Sequence, residues 1–349
     1  MSNVFLSVAM TTFNGERFLT EQLDSLLAQK RLPDELVVGD DLSEDSTIHI
    51  LNAFRSKAPF DVKIHQNRAR LGFAENFLNT ARRCSGQWVA FCDQDDVWLP
   101  DRLIEVEATA LERPGLSLIL HRAELCDEHL NVLRGTFPPH PGKGYFGANR
   151  RPGFWVWPGF LMAVNSDLIR QLDDSVRPIS YYRPDGQQPH DKWFSMIGNA
   201  LGGVYIIDRK SVLYRRHGGT VTGKYDRKTF VERTLEAGRV GAANYNHLAA
   251  AARSCVSALE RTAQQVVNKD KAEKFLISAS HFEGLRRTYE LREKLYSHSS
   301  FLERSGAFYS LLMSHGYIGN PFRSLGLRAL AKDFLRLLVG SRIWNSKPR

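Results

Sequence analysis

Short apolar runs and helical repeats alternate over the first hundred residues of the chain. Residues 5–10 form an almost continuous apolar run, which predicts a buried strand. Leu19, Leu23, Leu26 and Leu27 follow at i, i+4, i+7 and i+8, the spacing of one helix face. Further strands are predicted at 35–39, 62–65 and 88–92, with helical patterns between them. This alternation predicts a mostly parallel α/β sheet that is covered by helices on both faces.

Polar and acidic residues follow three of these predicted strands. Thr11 and Thr12 follow the first strand, Asp40 and Asp41 follow the second, and residues 93–96 (DQDD) follow the fourth. The carboxyl ends of parallel strands meet at one edge of the sheet, and ligands of open α/β sheets bind at that edge. The sequence therefore predicts a site there.

The segment 93–96 has the character of a divalent cation site. Carboxylates at i and i+2, just past a strand, can converge on Mg²⁺ or Mn²⁺, which prefer oxygen ligands. Such a cation neutralises the charge of a departing nucleotide diphosphate. The alternative is a solvated acidic turn that caps the next helix. The buried strand before it and the acidic pair on a neighbouring strand favour the metal site.

The composition is that of an ordinary folded protein, with 43% hydrophobic and 24% charged residues among 349. No run of eighteen apolar residues occurs, and the apolar start lacks the features of a signal peptide. The four cysteines show no metal-ligand spacing, so reduced thiols in the cytoplasm are expected. A net charge of +9 favours an anionic partner. Nucleic acid is disfavoured, because the predicted cleft is acidic and no nucleic-acid motif accompanies the basic residues.

Three segments resemble the signature motifs of glycosyltransferase family 2. They are residues 11–18 (TTFNGERF), 37–43 (VVGDDLS) and 91–98 (FCDQDDVW). The resemblance covers about residues 4–223. The third motif is similar to that of a branch with bacterial rhamnosyltransferases and other enzymes of O-antigen and capsule assembly. The resemblance implies the GT-A fold and a transfer that inverts the anomeric centre of the sugar.

The resemblance implies a nucleotide-sugar donor at the first two motifs. Asp41, and with it Asp40, would hydrogen-bond the base or ribose, and the backbone from Thr11 to Phe13 would lie beside the base. Phe13 stands where many members have Tyr, so a hydroxyl is lost. Leu42 replaces the commoner Gly of this loop, which predicts a slightly different backbone there.

The metal and pyrophosphate contacts implied by the resemblance come from two segments. Asp93 would contact the ribose or the metal, and Asp95 would bind the cation directly. In residues 214–219 (YRRHGG), His217 could ligate Mn²⁺, and Arg215 or Arg216 could hold pyrophosphate oxygens. A structural histidine at a strand end is the alternative.

Asp191 lies where the family places its catalytic base, at a helix start in residues 189–193 (PHDKW). An inverting displacement needs one carboxylate to take the proton of the acceptor hydroxyl. The alternative is an N-cap for the helix that follows, and the two roles are compatible.

Acceptor contacts are expected in an aromatic segment. Trp155, Trp157 and Phe160 flank Pro158-Gly159, and aromatic faces suit sugar rings or a lipid-linked acceptor. The alternative is core packing beneath the site. The family places acceptor contacts here, so the acceptor candidates are Trp157, Gly159 and His190.

The chain is expected to divide near Tyr225. Residues 1–224 would form the GT-A domain, with a nucleotide-sugar half at about 1–112 and an acceptor half at about 113–224. Residues 225–349 are predicted to be helical and basic. Their last helix has one apolar face and a basic surround: Leu327, Leu330, Phe334, Leu337 and Leu338, with Arg323, Arg328, Lys332, Arg336 and Arg342. Such a helix can lie on an anionic membrane, or pack on the catalytic domain or a second subunit.

The sequence as a whole predicts an inverting glycosyltransferase that depends on Mn²⁺ or Mg²⁺. Its donor would be a nucleotide diphosphate sugar, with rhamnose as one candidate, and its acceptor a glycan or lipid-linked glycan of the bacterial surface. The expected location is the cytoplasm, with peripheral contact at the inner face of the plasma membrane left open. The alternative is a catalytically silent nucleotide-sugar or glycan-binding protein on the same scaffold.

Overall fold

The computed structural model describes residues 4–139, 142–182, 186–218, 241–298 and 300–340. The boundary expected near Tyr225 and the basic residue Arg342 both lie outside them. The chain forms two compact units. The first comprises Met1–Gly147, Val156–Asp174 and Pro189–Tyr225, and the second comprises Ala148–Trp155, Ser175–Gln188 and Asp226–Arg349.

The first unit is built on a ten-stranded sheet. Its strands are β1 Leu6–Thr12, β2 Glu35–Asp40, β3 Asp61–Gln66, β4 Trp88–Cys92, β5 Val97–Trp98, β6 Leu118–Cys126, β7 Val132–Phe137, β8 Gly144–Phe146, β9 Met162–Asn165 and β10 Val204–Arg215. They lie in the order β3-β2-β1-β4-β9-β6-β10-β5, with β7 on β6 and β8 on β10.

The sheet is parallel where the alternating pattern predicts it and mixed beyond. Strands β3, β2, β1 and β4 are parallel neighbours, as expected for strands joined by helices. Strand β9 is antiparallel to both of its neighbours, β4 and β6. The predicted α/β fold is therefore confirmed as a mixed sheet whose parallel half begins the chain.

Helices connect the strands of the first unit. They are α1 Leu19–Leu27, α2 Thr47–Lys57, α3 Phe73–Arg82, α4 Arg102–Glu112, α5 Ser166–Gln171 and α6 His190–Leu201. In α1, Leu19, Leu23 and Leu26 are buried, so the predicted apolar face is the one that packs inward. Burying each such leucine stabilises the unit by roughly 1.5–3 kcal/mol.

The second unit contains the helical C-terminal region that the sequence predicts. Its helices are α7 Ala242–Gln265, α8 Lys269–Ser297, α9 Phe301–Met313 and α10 Leu327–Val339. Asp333 on α10 is buried and accepts hydrogen bonds from Arg292 (2.7 Å), Tyr296 (2.9 Å) and Tyr317 (2.8 Å). These donors compensate the buried carboxylate and fix α10 against α8. Within the described part of the chain, none of the helices has the length and hydropathy needed to cross a bilayer.

Candidate active site

The register of the parallel strands brings the acidic motifs to one edge of the sheet. Thr12, at the end of β1, pairs with Asp40 at the end of β2. On the other side of β1, Met10 pairs with Cys92 at the end of β4. The acidic pair 40–41 and the acidic turn 93–96 therefore flank the end of β1, as the sequence predicts.

The carboxylate of Asp40 organises the loops at this edge. It accepts hydrogen bonds from the Thr12 hydroxyl (2.8 Å) and from the Ser43 backbone N–H (2.9 Å). The Gln66 amide donates to it as well (3.3 Å). Asp40 is fully buried, and these donors compensate its charge. In this structure it positions the ends of β1 and β2.

Asp41 holds the segment that leads into α3. Its two carboxylate oxygens accept from the backbone N–H groups of Leu71 (2.7 Å) and Gly72 (2.8 Å). The Asn67 side chain donates a third hydrogen bond (3.1 Å). The acidic pair thus fixes the walls of the predicted nucleotide site, and its direct contact with base or ribose stays a prediction.

Gln94 clamps the first motif, and sequence reasoning assigned it no role. Its Oε1 accepts from the Phe13 N–H (2.8 Å), and its Nε2 donates to the Phe13 carbonyl (3.0 Å). A Cβ at Gly15 would come within 2.4 Å of this Gln94 oxygen, which explains the glycine. The Arg70 guanidinium stacks over the Phe13 ring at 3.5 Å. The signal for this role in the sequence was an amide side chain between the acidic residues of the third motif.

Leu42 lies in the left-handed region of backbone conformation, with φ of 64°. This conformation costs a non-glycine residue about 1–2 kcal/mol. A glycine would remove that cost, but its greater loss of backbone entropy on folding would offset about 0.5–1 kcal/mol of the gain. Since the Leu42 side chain is exposed, Leu42→Gly is expected to raise the free energy of unfolding by about 0.5–1 kcal/mol. Leu42→Ala is the matched control, because it truncates the side chain and keeps the strain. Urea unfolding compares them, and a glycine variant less stable than the alanine variant would contradict the strain.

Three carboxylates converge at the acidic turn. Oxygens of Asp93, Asp95 and Asp96 all lie within 4.8 Å of one another. Burial and the charges of Asp95 and Asp191 raise the pKa of Asp93 to about 8. Burial also raises the pKa of Asp96 well above its ordinary value, and the Asp96 Oδ2 is buried with no hydrogen-bond partner among the described residues. Crowded carboxylate oxygens, with Asp96 buried and the other two partly exposed, fit a hard divalent cation.

The loop after β10 contacts the acidic turn. His217 Nε2 lies 2.8 Å from Asp95 Oδ2, and its ring packs on Phe18 at 4.7 Å between centroids. Arg215 is buried, where it donates to the Asp95 carbonyl (2.8 Å) and pairs with Glu21. Arg216 is partly exposed and donates to the Tyr214 hydroxyl (2.8 Å). Of the two arginines, Arg216 is therefore the one with access to a ligand.

A buried arginine behind the acidic turn has no counterpart in the sequence reasoning. Arg102, at the start of α4, donates to the carbonyls of Phe91 (3.3 Å) and Phe160 (2.6 Å) and stacks on Trp98 at 3.8 Å. Its charge acts to lower the pKa of both Asp93 and Asp96. Arg102 is thus the counter-charge of the turn. In the sequence, Arg102 was marked only as a basic residue beside the apolar positions of α4.

Asp191 lies in the first turn of α6, and Pro189 occupies the N-cap position. The Asp191 Oδ1 accepts from the neighbouring Lys192 N–H at 2.8 Å. Burial raises the pKa of Asp191 to about 6, and its charge contributes to the raised pKa of Asp93. The structure therefore brings the predicted base close to the acidic turn. It does not give Asp191 the N-cap role that was the alternative.

The three acceptor candidates are buried. The Trp157 indole N–H donates to the His121 carbonyl (3.0 Å), and the Trp157 backbone N–H donates to the Ser195 hydroxyl (2.9 Å). His190 packs against the rings of Phe77 and Phe91. A Cβ at Gly159 would approach His190 Nε2 to 2.3 Å. These are contacts of core residues, so any effect on an acceptor would be exerted through packing.

Fold and site together define a GT-A domain with an acidic turn at the edge of its sheet. Residues 7–158 match the model of the glycosyl transferase family 2. The resemblance to this family that the three motifs indicate is confirmed for this part of the chain.

Several proteins are similar to this chain. The uncharacterized protein Rv1520 of Mycobacterium tuberculosis is 23% identical over 232 residues, which cover 65% of this chain and 64% of that protein. The dTDP-rhamnosyl transferase RfbG of Shigella flexneri is 33% identical over 98 residues, or 27% and 34% of the two chains. The crystal structure of S. aureus TarS 1-349 in complex with UDP-GlcNAc has a TM-score of 0.52 and 17% identity, covering 86% of this chain and 88% of that one. The match thus spans slightly less than two thirds of Rv1520, and the likeness to TarS shows the fold alone.

Proposed function

We propose that this protein transfers a sugar from a nucleotide diphosphate donor to a hydroxyl of a bacterial surface glycan or lipid-linked glycan, with inversion. The observation that carries the proposal is the placement of Asp191 beside the acidic turn of a family 2 domain. A base and a leaving-group site are the two groups that a single displacement requires. They come from α6 and the end of β4, which are far apart in sequence.

The donor binds between the first two motifs in this proposal. The Phe13 ring with Arg70 stacked on it, and the loop held by Asp41, form the walls of the nucleotide site. Arg216 contacts the pyrophosphate. Two donors to test come from the similar proteins: dTDP-rhamnose from the dTDP-rhamnosyl transferase RfbG, and UDP-GlcNAc from its complex with TarS.

The acidic turn has the residues for a metal ion. Asp93 and Asp95, with Asp96 and His217 beside them, would hold Mn²⁺ or Mg²⁺, which when bound neutralises charge on the departing nucleotide diphosphate. Arg102 supplies a fixed positive charge behind the turn. Arg215 holds the Asp95 backbone in place, since its guanidinium donates to the Asp95 carbonyl.

Asp191 takes the proton of the attacking acceptor hydroxyl. Its burial raises its proton affinity, and a pKa of about 6 leaves it mostly ionised at neutral pH. The contact with the Lys192 N–H orients the carboxylate. A carboxylate that is more basic than an ordinary aspartate and still ionised before the reaction suits general base catalysis.

A donor panel tests the proposed activity. We expect one nucleotide diphosphate sugar, from a set that includes dTDP-rhamnose and UDP-GlcNAc, to yield nucleotide diphosphate release that requires a divalent cation. Asp191→Asn serves as the matched control, since it should bind the same donor and release far less product. Calorimetric binding of a donor with no release from any member of the panel, in the presence of glycan and lipid-linked acceptors, would instead indicate a silent binding protein.

A further inference from the structure

Helix α9 has one buried face and one exposed face, and both faces are apolar. Its inner face packs into the core of the second unit through Ala307, Phe308 and Leu311. Its outer face carries Leu302, Tyr309 and Met313, which are 80%, 62% and 63% exposed. A helix on a water-exposed surface normally has polar residues on the side away from the core. The outer face of α9 is apolar instead.

Helix α10 repeats the arrangement. Leu327, Phe334 and Leu338 lie at i, i+7 and i+11 and are exposed, whereas Leu337 packs into the core. The Phe334 ring lies 6.0 Å from that of Phe308 on α9, which joins the two helices at this point. We call the six exposed residues the apolar face of the second unit: Leu302, Tyr309, Met313, Leu327, Phe334 and Leu338.

Exposed apolar side chains are concentrated around this face. Ten of the twenty-two large hydrophobic residues that are exposed in the described part of the chain lie between Phe301 and Leu338. Single exposed hydrophobic residues are ordinary on protein surfaces, but contiguous groups mark an interaction site. The apolar face is therefore a candidate interaction surface.

The charge around the apolar face is positive. Residues 300–340 contain five Lys or Arg and two Asp or Glu. Arg304 and Arg336 are buried, as is the acid Asp333. The other acid, Glu303, lies 3.4 Å from His298. Arg323 and Arg328 are exposed on the same segment. Exposed arginines on the same segment as exposed apolar side chains match a membrane surface, where anionic headgroups lie above hydrocarbon.

We propose that the apolar face docks on an anionic lipid bilayer as a peripheral contact. Leucine, tyrosine and methionine side chains would enter the boundary between headgroups and acyl chains, and the arginines would meet anionic headgroups. A second copy of the chain is a poorer partner, because a symmetric contact would bring the same cations together. The contact needs no catalytic residue, so its test is independent of the proposed activity.

The test uses the full chain and vesicles without any donor. Phosphatidylcholine vesicles are compared with vesicles that also contain phosphatidylglycerol, and bound protein is measured by co-sedimentation at low and high salt. We expect binding to the anionic vesicles at low salt and a marked loss at high salt, where surface charges are screened. Removal of the tail is unsuitable as a test, because Asp333 and Leu337 belong to the core.

Two surface variants have a matched control. The triple variant Leu302→Ser, Tyr309→Ser, Met313→Ser removes apolar area and is expected to weaken vesicle binding by at least about tenfold. Arg328→Gln should weaken binding to anionic vesicles by about fivefold. The control is Val267→Ser, Leu276→Ser, Ile277→Ser, which removes three exposed hydrophobic residues elsewhere in the second unit and should leave binding unchanged.

Three outcomes would overturn the proposal. The intact chain could ignore anionic vesicles at low salt, or both triple variants could bind as the wild type does. Sedimentation velocity provides the third outcome: a dimer that the Leu302 triple variant dissociates, without vesicle binding, would identify a second copy as the occupant. Circular dichroism melting of each variant establishes that it is folded.

Discussion

Asp95→Ala is expected to abolish sugar transfer and to remove its dependence on Mn²⁺ or Mg²⁺. Asp95 lies at the centre of the acidic turn, with oxygens of Asp93 and Asp96 within 4.8 Å. A lost metal ligand removes several kcal/mol of leaving-group stabilisation, a decrease of at least about 10³-fold in rate. Initial rates of nucleotide diphosphate release, with and without added cation, measure it. Near-normal turnover by the variant, or full wild-type activity in excess EDTA, would reject the metal hypothesis.

A stability measurement separates this effect from misfolding. The pKa of Asp93 is raised to about 8, so the folded chain keeps a proton that the unfolded chain releases above about pH 4. The metal-free protein should therefore lose stability as pH rises from about 4 to about 8. Asp95→Ala removes one charge that raises the pKa of Asp93, so the metal-free variant should lose less stability than wild type over this pH range. Mn²⁺ should raise the melting temperature of wild type and of the exposed control Glu112→Ala, and leave Asp95→Ala unchanged.

Asp191→Asn is expected to reduce turnover by roughly 10²- to 10⁴-fold while donor and metal affinity persist. The amide is nearly isosteric with the carboxylate, and its oxygen can still accept from the Lys192 N–H. The fold should therefore be kept, because Pro189 holds the N-cap position in either protein. Calorimetry gives donor affinity, and single-turnover rates give the chemical step.

The matched control for Asp191→Asn is Asp167→Asn. Asp167 is an exposed carboxylate in the first turn of α5, so the control reports the general effect of neutralising a first-turn acid. It should turn over like wild type. If Asp191→Asn melted like wild type and retained a comparable rate, Asp191 would have no part in the mechanism. Retention of anomeric configuration in the product would also contradict the assignment.

The rate should depend on pH through Asp191. A general base acts in its ionised form, so turnover should fall as pH drops below about 6, the pKa to which burial raises this carboxyl. A cation bound at Asp93 would favour the ionised form of Asp191, so the fall in turnover would then occur at lower pH. The Asp191→Asn variant should not show this fall in turnover at low pH, whereas the Asp167→Asn variant should show it.

The sequence by itself determined the parallel half of the sheet and the edge at which the site lies. Strand and helix periodicities are local properties, and they placed the ends of the strands close to the observed ends at Thr12, Asp40 and Cys92. The acidic turn could be located for the same reason, since its carboxylates are near neighbours in the chain. The sequence pattern was sufficient to predict structures that are built from residues close together in the chain.

Only the tertiary structure decided which side chains meet across long sequence separations. It placed Asp191 close enough to Asp93 to affect its pKa, buried Arg102 behind the turn and enclosed Trp157 in the core. No periodicity encodes these contacts, because each depends on how distant elements pack.

The C-terminal helices show the same division. The pattern of α10 predicts one apolar face that contains Leu327, Leu330, Phe334, Leu337 and Leu338. In the folded unit, Leu330 and Leu337 pack on the core, while Leu327, Phe334 and Leu338 are exposed. A helical repeat fixes which residues share a side of a helix, but the neighbouring helices determine how much of that side they cover. The sequence therefore determined the amphipathic character of α10, and the packing of α9 against it decided which leucines remain exposed.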